Sequence, residues 1–206
     1  DVEKFNEEGK SGLVAGQEVT GLSYLITGTN AGEYKGAFSG EAVIKAGEQD
    51  VTGNYDVSTE EGTLKITKAD IAKYVELTPE DVSKVYDGTP LEAGVAIAKG
   101  TAADTGEKAL KVEYSVNGTD WTEDPSEITA TEVKESTTVQ IRVSGPNYKD
   151  VLTGSEKLEI QKRPVLITGY GWSVEQPYTG DAYTSDEYDV EKFNEEGKSG
   201  LVAGQE

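Results

Sequence analysis

The sequence predicts an all-β protein made of small tandem domains, and three observations carry that prediction. Apolar residues alternate with polar or small residues along most of the chain, which is the period of a half-buried strand. Glycine, a residue that turns often need, occurs 24 times in 206 residues. The stretch DVEKFNEEGKSGLVAGQE begins at Asp1 and again at Asp189, so we expect one repeat of 188 residues followed by the start of the next.

The alternation places the individual strands. They are centred on residues 22–26, 64–66, 112–116, 139–143, 158–160 and 165–167. Asn117-Gly118 separates VEYSV from TDWTE, and because this dipeptide tolerates positive φ it predicts a tight hairpin. Only Val190 to Glu196 show helical spacing, so we expect at most a turn or two of helix there before Gly197 ends it.

A second, weaker repeat lies inside the long one and sets the domain boundaries. GNYDVSTEEGTLKITKA at 53–69 parallels PNYKDVLTGSEKLEIQKRP at 146–164, and KVYDGTPL at 84–91 parallels QPYTGDAY at 176–183. Residues 1–69 are therefore interpreted as the C-terminal part of a split β domain, 70–162 as a complete β domain, and 163–206 as the N-terminal part of the next copy of the split domain.

The size of these domains suggests their architecture. About 90 residues is close to the size of a small immunoglobulin-like β-sandwich. We therefore predict tandem sandwiches, with a β-grasp-like fold as the alternative. Only Gln161 to Pro164 separate two predicted strands, and so short a joint containing proline favours an extended array.

Composition excludes several classes of function. The formal charge of −20 repels nucleic acid and anionic membranes, so neither is expected as a partner. The chain contains no histidine and no cysteine, which removes the commonest general base and the thiolate ligands. No nucleophile and base stand in a recognisable arrangement, so we predict a protein that is not an enzyme and has no catalytic residues.

Two weaker hypotheses concern binding. The acidic residues Asp181, Asp186, Glu187 and Asp189 are oxygen ligands of the kind that calcium takes, although a solvated acidic loop without any metal or other cofactor is the main expectation. The aromatic residues Trp121, Trp172 and Tyr170 could form a platform for glycans. Tryptophan in a small β-sandwich also commonly packs in the core or between domains, and this alternative stays open.

The order of motifs resembles a known family. Tyr86-Asp87-Gly88 after a first strand, TNAGEY at 29–34, Asn-Tyr before a final strand, and the closing ITKA and IQKRPV segments resemble the YDG-type and MBG-type repeats of bacterial surface proteins. The resemblance implies a large, secreted, cell-wall-anchored adhesin and an extracellular location at the cell surface or cell wall.

The second copy of the tyrosine motif reads Tyr178-Thr179-Gly180, so the aspartate is not shared. We therefore interpret Tyr86, Asp87, Gly88, Tyr178 and Gly180 as structural turn residues, with Asp87 bonding to the backbone and Tyr86 packing inward.

Two functions follow from these expectations. The first is a non-catalytic stalk or spacer repeat in a large surface adhesin or filament, whose partners are neighbouring copies of the same repeat arranged head to tail. The alternative is an adhesive module that binds host mucin glycans or proteins and multiplies weak contacts by avidity.

Overall fold

The computed structural model describes residues 12–169, 175–192, 194, 199–202, 204 and 205, and its chain forms two compact units. The first unit contains the residues up to Ala69 together with Pro146–Lys149. The second contains Asp70–Gly145 and Asp150–Glu206. Within the described residues the only helical elements are five turns of 3-10 helix of three residues each, which confirms the all-β prediction.

The described residues of the first unit form five strands. They are β1 (Gln17–Leu25), β2 (Gly32–Lys35), β3 (Ala37–Ala46), β4 (Gln49–Asp50) and β5 (Thr63–Ile66). Strands β1, β3 and β4 form one antiparallel sheet in that order, and β2 pairs antiparallel with β5. None of the strand residues of β5 is fully buried.

Two glycines allow β1 and β3 to lie close together. The register of the pair shifts between Thr20 and Leu22, and Gly21 at that point has φ +81°. A Cβ atom on Gly21 would lie 2.3 Å from the backbone oxygen of Glu41, and one on Gly40 would lie 2.1 Å from the oxygen of Gly21. Any larger residue at either position would therefore force the two strands apart.

Asn147 fastens the TNAGEY turn of the first unit. Its Oδ1 accepts a hydrogen bond of 2.9 Å from the backbone N–H of Ala31, and its Nδ2 donates one of 2.9 Å to Asn30 Oδ1. Its backbone oxygen accepts from the N–H of Ala69, whose own oxygen accepts from Lys149. Two of the motifs used in the sequence analysis are thus joined by one side chain.

Ten strands lie in the part of the second unit that the structure describes. They are β6 (Glu76–Thr78), β7 (Val82–Val85), β8 (Leu91–Glu92), β9 (Ile97–Lys99), β10 (Lys111–Ser115), β11 (Thr129–Ala130), β12 (Thr137–Ser144), β13 (Leu152–Gln161), β14 (Ile167–Gly169) and β15 (Tyr188–Val190). The main sheet has the order β10-β12-β13-β7, with β7 parallel to β13 and the other neighbours antiparallel. Strand pairs β6-β9, β8-β11 and β14-β15 are separate two-stranded ladders.

The core of the second unit lies on one face of the main sheet, because fully buried side chains occur at every second position from Val139 to Val143 in β12 and from Glu156 to Ile160 in β13. The buried core residues are Ala93, Ala96, Tyr114, Ala130, Val139, Ile141, Leu158 and Ile160. Partly buried apolar residues from other segments pack against them, namely Leu77, Val82, Tyr86, Leu91, Val112 and Ile128. The main sheet and strands β6, β8 and β11 thus share one core.

The predicted tight hairpin at Asn117-Gly118 is wider than expected. Tyr114 and Thr122 exchange backbone hydrogen bonds of 2.7 and 3.0 Å, so a long loop rather than two residues separates the paired positions. The Asn117 side chain accepts from the backbone N–H of Thr119 at 2.9 Å, which organises the loop locally, and Gly118 has φ +74°. The asparagine acts through its side chain as well as through its backbone.

The prediction of a helical turn over Val190 to Glu196 is wrong at Val190. This residue ends β15 and pairs with Ile167, while residues 193 and 195–198 lie outside the described residues. The strand predicted over 165–167 begins only at Ile167. Leu166 instead exchanges two hydrogen bonds with Glu191. The Leu166 N–H donates to the Glu191 carboxylate, and the Glu191 N–H donates to the Leu166 backbone oxygen.

Among the described residues, none lies in a helix that is long and apolar enough to cross a membrane.

We expect the substitution Leu158→Ala to lower the free energy of unfolding of the second unit by about 2–5 kcal/mol. Leu158 is 1% exposed and lies in the centre of the core, so truncation leaves a cavity that the paired strands cannot close. Urea unfolding followed by circular dichroism measures the change. Val151→Ala is the control, since Val151 is exposed and its truncation should change stability by less than about 0.5 kcal/mol.

Candidate functional site

The Tyr86-Asp87-Gly88 turn is held by the Asp87 carboxylate. Its Oδ1 accepts hydrogen bonds from Lys84 Nζ at 2.8 Å, from the backbone N–H of Thr89 at 2.9 Å and from Thr89 Oγ1 at 2.7 Å. These donors, with Lys84 the strongest, lower the pKa of Asp87 to about 2. Gly88 takes φ +78°, which a residue with a Cβ atom rarely adopts. The acid and the glycine therefore both stabilise this turn.

Tyr86, the first residue of this turn, packs against the core. Its backbone N–H donates to the Gln161 oxygen at 2.9 Å, which extends the pairing of β7 with β13 by one residue. Its ring packs against the core, and its hydroxyl accepts from Gln205 Nε2 at 2.7 Å. The tyrosine thus contacts β13, the core and the segment that follows β13.

The second tyrosine motif has a similar turn but a different environment. Gly180 has φ +88°, and the Asp181 N–H donates to Thr179 Oγ1 at 3.4 Å, a weaker contact than the one Asp87 makes. Tyr178 is 96% exposed, whereas its counterpart Tyr86 is half-buried. The turn is repeated without the packing that accompanies it in the complete domain.

The register of β14 and β15 repeats that of β6 and β9. The sequence match of VELT with VLIT aligns Thr78 with Thr168, and the match of YDG with YTG aligns Ile97 with Asp189. Thr78 pairs with Ile97 in the first ladder, and Thr168 pairs with Asp189 in the second. Strands β14 and β15 therefore pair in the register that β6 and β9 have.

Arg163 binds the second copy of the eighteen-residue stretch. Its guanidinium donates to the backbone oxygens of Asn194 at 2.9 Å, Ser199 at 2.7 Å and Gly200 at 2.8 Å. The Gly200 N–H donates in turn to the Pro164 oxygen at 2.9 Å. The short joint after β13 is thereby tied to the described residues of the stretch through its backbone.

Trp121 lies on the outer face of the main sheet, where its ring stacks on Arg142, which is paired with Glu113. The Arg142 guanidinium lies 4.2 Å from the ring centroid and binds the Glu113 carboxylate through Nε at 2.8 Å and Nη2 at 3.0 Å. Lys111 binds the same carboxylate at 2.9 Å, and these two cations lower the pKa of Glu113 to about 2. One face of the indole is therefore covered, which weakens its use as a glycan platform.

The other predicted site residues have no such geometry. Tyr170 and Trp172 lie outside the described residues. The calcium candidates Asp181, Asp186, Glu187 and Asp189 are all exposed. In the described part of the chain, no three carboxylates come together in a group that could hold a metal ion. The absence of a cofactor stays a prediction.

Glu156 is a buried acid that the sequence analysis missed. It is 1% exposed, and its Oε2 accepts from the backbone N–H of Glu80 at 3.3 Å, while the backbone N–H of Gly94 is a second donor to the carboxylate. No donor among the described residues binds its Oε1. Burial raises the pKa of Glu156, with Asp81 and Glu80 adding repulsion, against the lowering effect of the two backbone donors. The alternation of β13 could have revealed it, since Glu156 is in phase with Leu158 and Ile160.

No protein-family model, curated protein or solved structure matches this chain.

We expect Glu156→Gln to gain stability relative to the parent chain as the pH rises above about 4.5, the ordinary value for this group. A carboxyl with a raised folded-state pKa stabilises the fold fully below its unfolded pKa and loses that contribution as the pH rises through the folded value. Glutamine keeps an oxygen for the two backbone donors but carries no charge. Thermal unfolding between pH 4 and 8 measures the difference.

Glu159→Gln serves as the matched control for this prediction, because Glu159 is exposed on the opposite face of the same strand. A stability difference between Glu156→Gln and the parent that stays constant with pH would contradict the assignment.

Proposed function

We propose that this chain is a non-catalytic stalk or spacer repeat of a large secreted bacterial surface adhesin or filament. The observation that carries the proposal is the parallel pairing of β7, near the start of the complete domain, with β13 at its end. A spacer must transmit tension without opening, and this pairing suits that task.

The direction of the two strands decides how tension acts. Val82 at the start of β7 pairs with Leu158, and Val85 at its end pairs with Gln161 at the end of β13. Force on the chain pulls β7 towards its N-terminal end and β13 towards its C-terminal end. In a parallel pair these are opposite directions, so the inter-strand hydrogen bonds are sheared together and share the force. A hairpin pulled from its open end breaks its bonds one after another.

The packing under this pair adds to its resistance. Ile160 and Leu158 are each 1% exposed, and Val82 packs against the same core. Sliding β7 along β13 must expose this apolar surface while it breaks the hydrogen bonds. The core and the ladder therefore oppose the same movement.

The finer architecture that we propose is a small β-sandwich repeated in an extended array of neighbouring copies. The core that the main sheet shares with strands β6, β8 and β11 supports the sandwich. The repeated register of β14-β15, the Arg163 contacts and the eighteen-residue duplication support the array. The resemblance to surface-protein repeats supports the extracellular location.

The proposal is tested by pulling single molecules of the full chain. Because the chain has no cysteine, pairs of introduced cysteines define the points of attachment. Glu80→Cys with Gln161→Cys loads β7 and β13 in shear, and Lys134→Cys with Gln161→Cys opens the β12-β13 pair from one end. We expect a several-fold higher unfolding force for the first pair.

Equal forces for the two geometries would remove the support for a stalk. Saturable binding of the unmodified chain to a mucin glycan array would instead favour the adhesive function.

A further inference from the structure

We propose that the tail of one copy, meaning the described residues 163–169 and 175–188, completes the first unit of a second copy. The proposal deepens the stalk function and rests on it in one respect, since it takes another repeat as the partner. Two apolar surfaces of the described residues support it. One corresponds to the residues that cover the core in the complete domain, and the other corresponds to the sheet that they cover.

The first surface is on the tail. In the complete domain, Leu77, Tyr86 and Leu91 pack against the core. The sequence matches give their counterparts in the tail, and these are Ile167, Tyr178 and Tyr183, which are 62%, 96% and 54% exposed. Three positions that cover a core in one domain thus face solvent in the other. The tail carries the covering residues and lacks the sheet that they cover.

The second surface is on the first unit. An open groove there is lined by large apolar side chains from the segment before β1, from β1 and β3, and from the loop before β5, namely Leu13, Val19, Leu22, Phe38, Ile44, Tyr55 and Val57. Tyr24 and Phe38 form an aromatic pair with ring centroids 4.8 Å apart and both remain partly exposed. The described residues of this unit include the sheet but no counterparts of the covering residues, which is the reverse of the tail.

The free edge of β5 gives the register of the proposed contact. Strand β13 pairs with β12 on one side and β7 on the other, whereas its counterpart β5 pairs only with β2 among the described residues. Matching LEIQK with LKITK places Lys65 at the position of Glu159, and the tyrosine motifs place Glu175 at the position of Ser83. Since Glu159 pairs with Ser83, Lys65 should pair with Glu175.

This register brings opposite charges together. Lys65 and Glu175 are both exposed, and a lysine facing a glutamate across a ladder is a favourable cross-strand pair. The added strand would run parallel to β5, as β7 runs parallel to β13, and would satisfy its unpaired backbone groups.

The duplicated stretch explains why the partner is another copy. In an array the tail residue Tyr188 is followed by the same sequence that begins at Asp1, so each tail runs on into the first unit of the next copy. The rebuilt domain then uses the eighteen residues once. Separate chains can form the same contact only by association, head to tail.

Disulfide trapping in the full chain tests this contact. Two single variants, Lys65→Cys and Glu175→Cys, are mixed under oxidising conditions, and mass spectrometry identifies the linked peptides. We expect a dimer joined between positions 65 and 175, in clear excess over the mixture of Lys65→Cys with Val151→Cys. Val151 is similarly accessible and has no place in the predicted ladder.

A second pair of variants links the crosslink to the apolar surfaces. Adding Ile167→Asp to the Glu175→Cys chain should abolish the 65–175 product, whereas adding Ile97→Asp should not. Both residues are exposed isoleucines in two-stranded ladders, and only Ile167 belongs to the tail surface. Circular dichroism melting of each variant verifies that the chain is folded.

Two outcomes would overturn the proposal. One is a yield no higher than that of the Val151→Cys mixture. The other is a crosslink that forms only within single chains of the double variant Lys65→Cys with Glu175→Cys, which would assign the tail to its own first unit. Neither outcome affects the force comparison between β7-β13 and β12-β13, so failure of the contact and failure of the stalk function are distinguishable.

Discussion

The second unit depends on the position of β13 between two neighbours. Its backbone groups are paired with β12 on one edge and with β7 on the other, and its alternate side chains form the centre of the core. One strand therefore joins sequence-distant segments that would otherwise share few contacts. The Tyr86 turn and the joint at Arg163 both start from its C-terminal end, through the bond from Tyr86 to Gln161 and through the chain itself. Cooperative folding of the unit follows from this arrangement.

Two carboxylates of the main sheet show how the environment sets the charge state. Glu113, on the outer face, is bound by Arg142 and Lys111 and stays ionised in acid. Glu156, on the core face, is bound only by backbone N–H groups and has a raised pKa. The chain carries 39 acidic residues, and the partners that set the pKa values of these two are visible only in the structure. The difference arises from partners that are distant in sequence.

The sequence predicted the features that depend on local pattern and failed on those that depend on distant partners. Alternation located β12 and β13, because a half-buried strand has a fixed period. The same pattern would have identified Glu156 as buried if its phase had been followed. The wide loop at Asn117 could not be predicted, since its width follows from the pairing of Tyr114 with Thr122. The strand at Val190 was missed because its partner, Ile167, lies 23 residues earlier, across the tyrosine motif.

The identical stretches at the two ends of the repeat have a genetic consequence. Recombination between the corresponding stretches of two copies adds or removes whole units of one period. Each tail is then still followed by the eighteen-residue stretch that follows it now. In the array that we propose, copy number can therefore change between related genes while the fold of each domain is kept, so the reach of the proposed stalk can vary without the invention of a new surface.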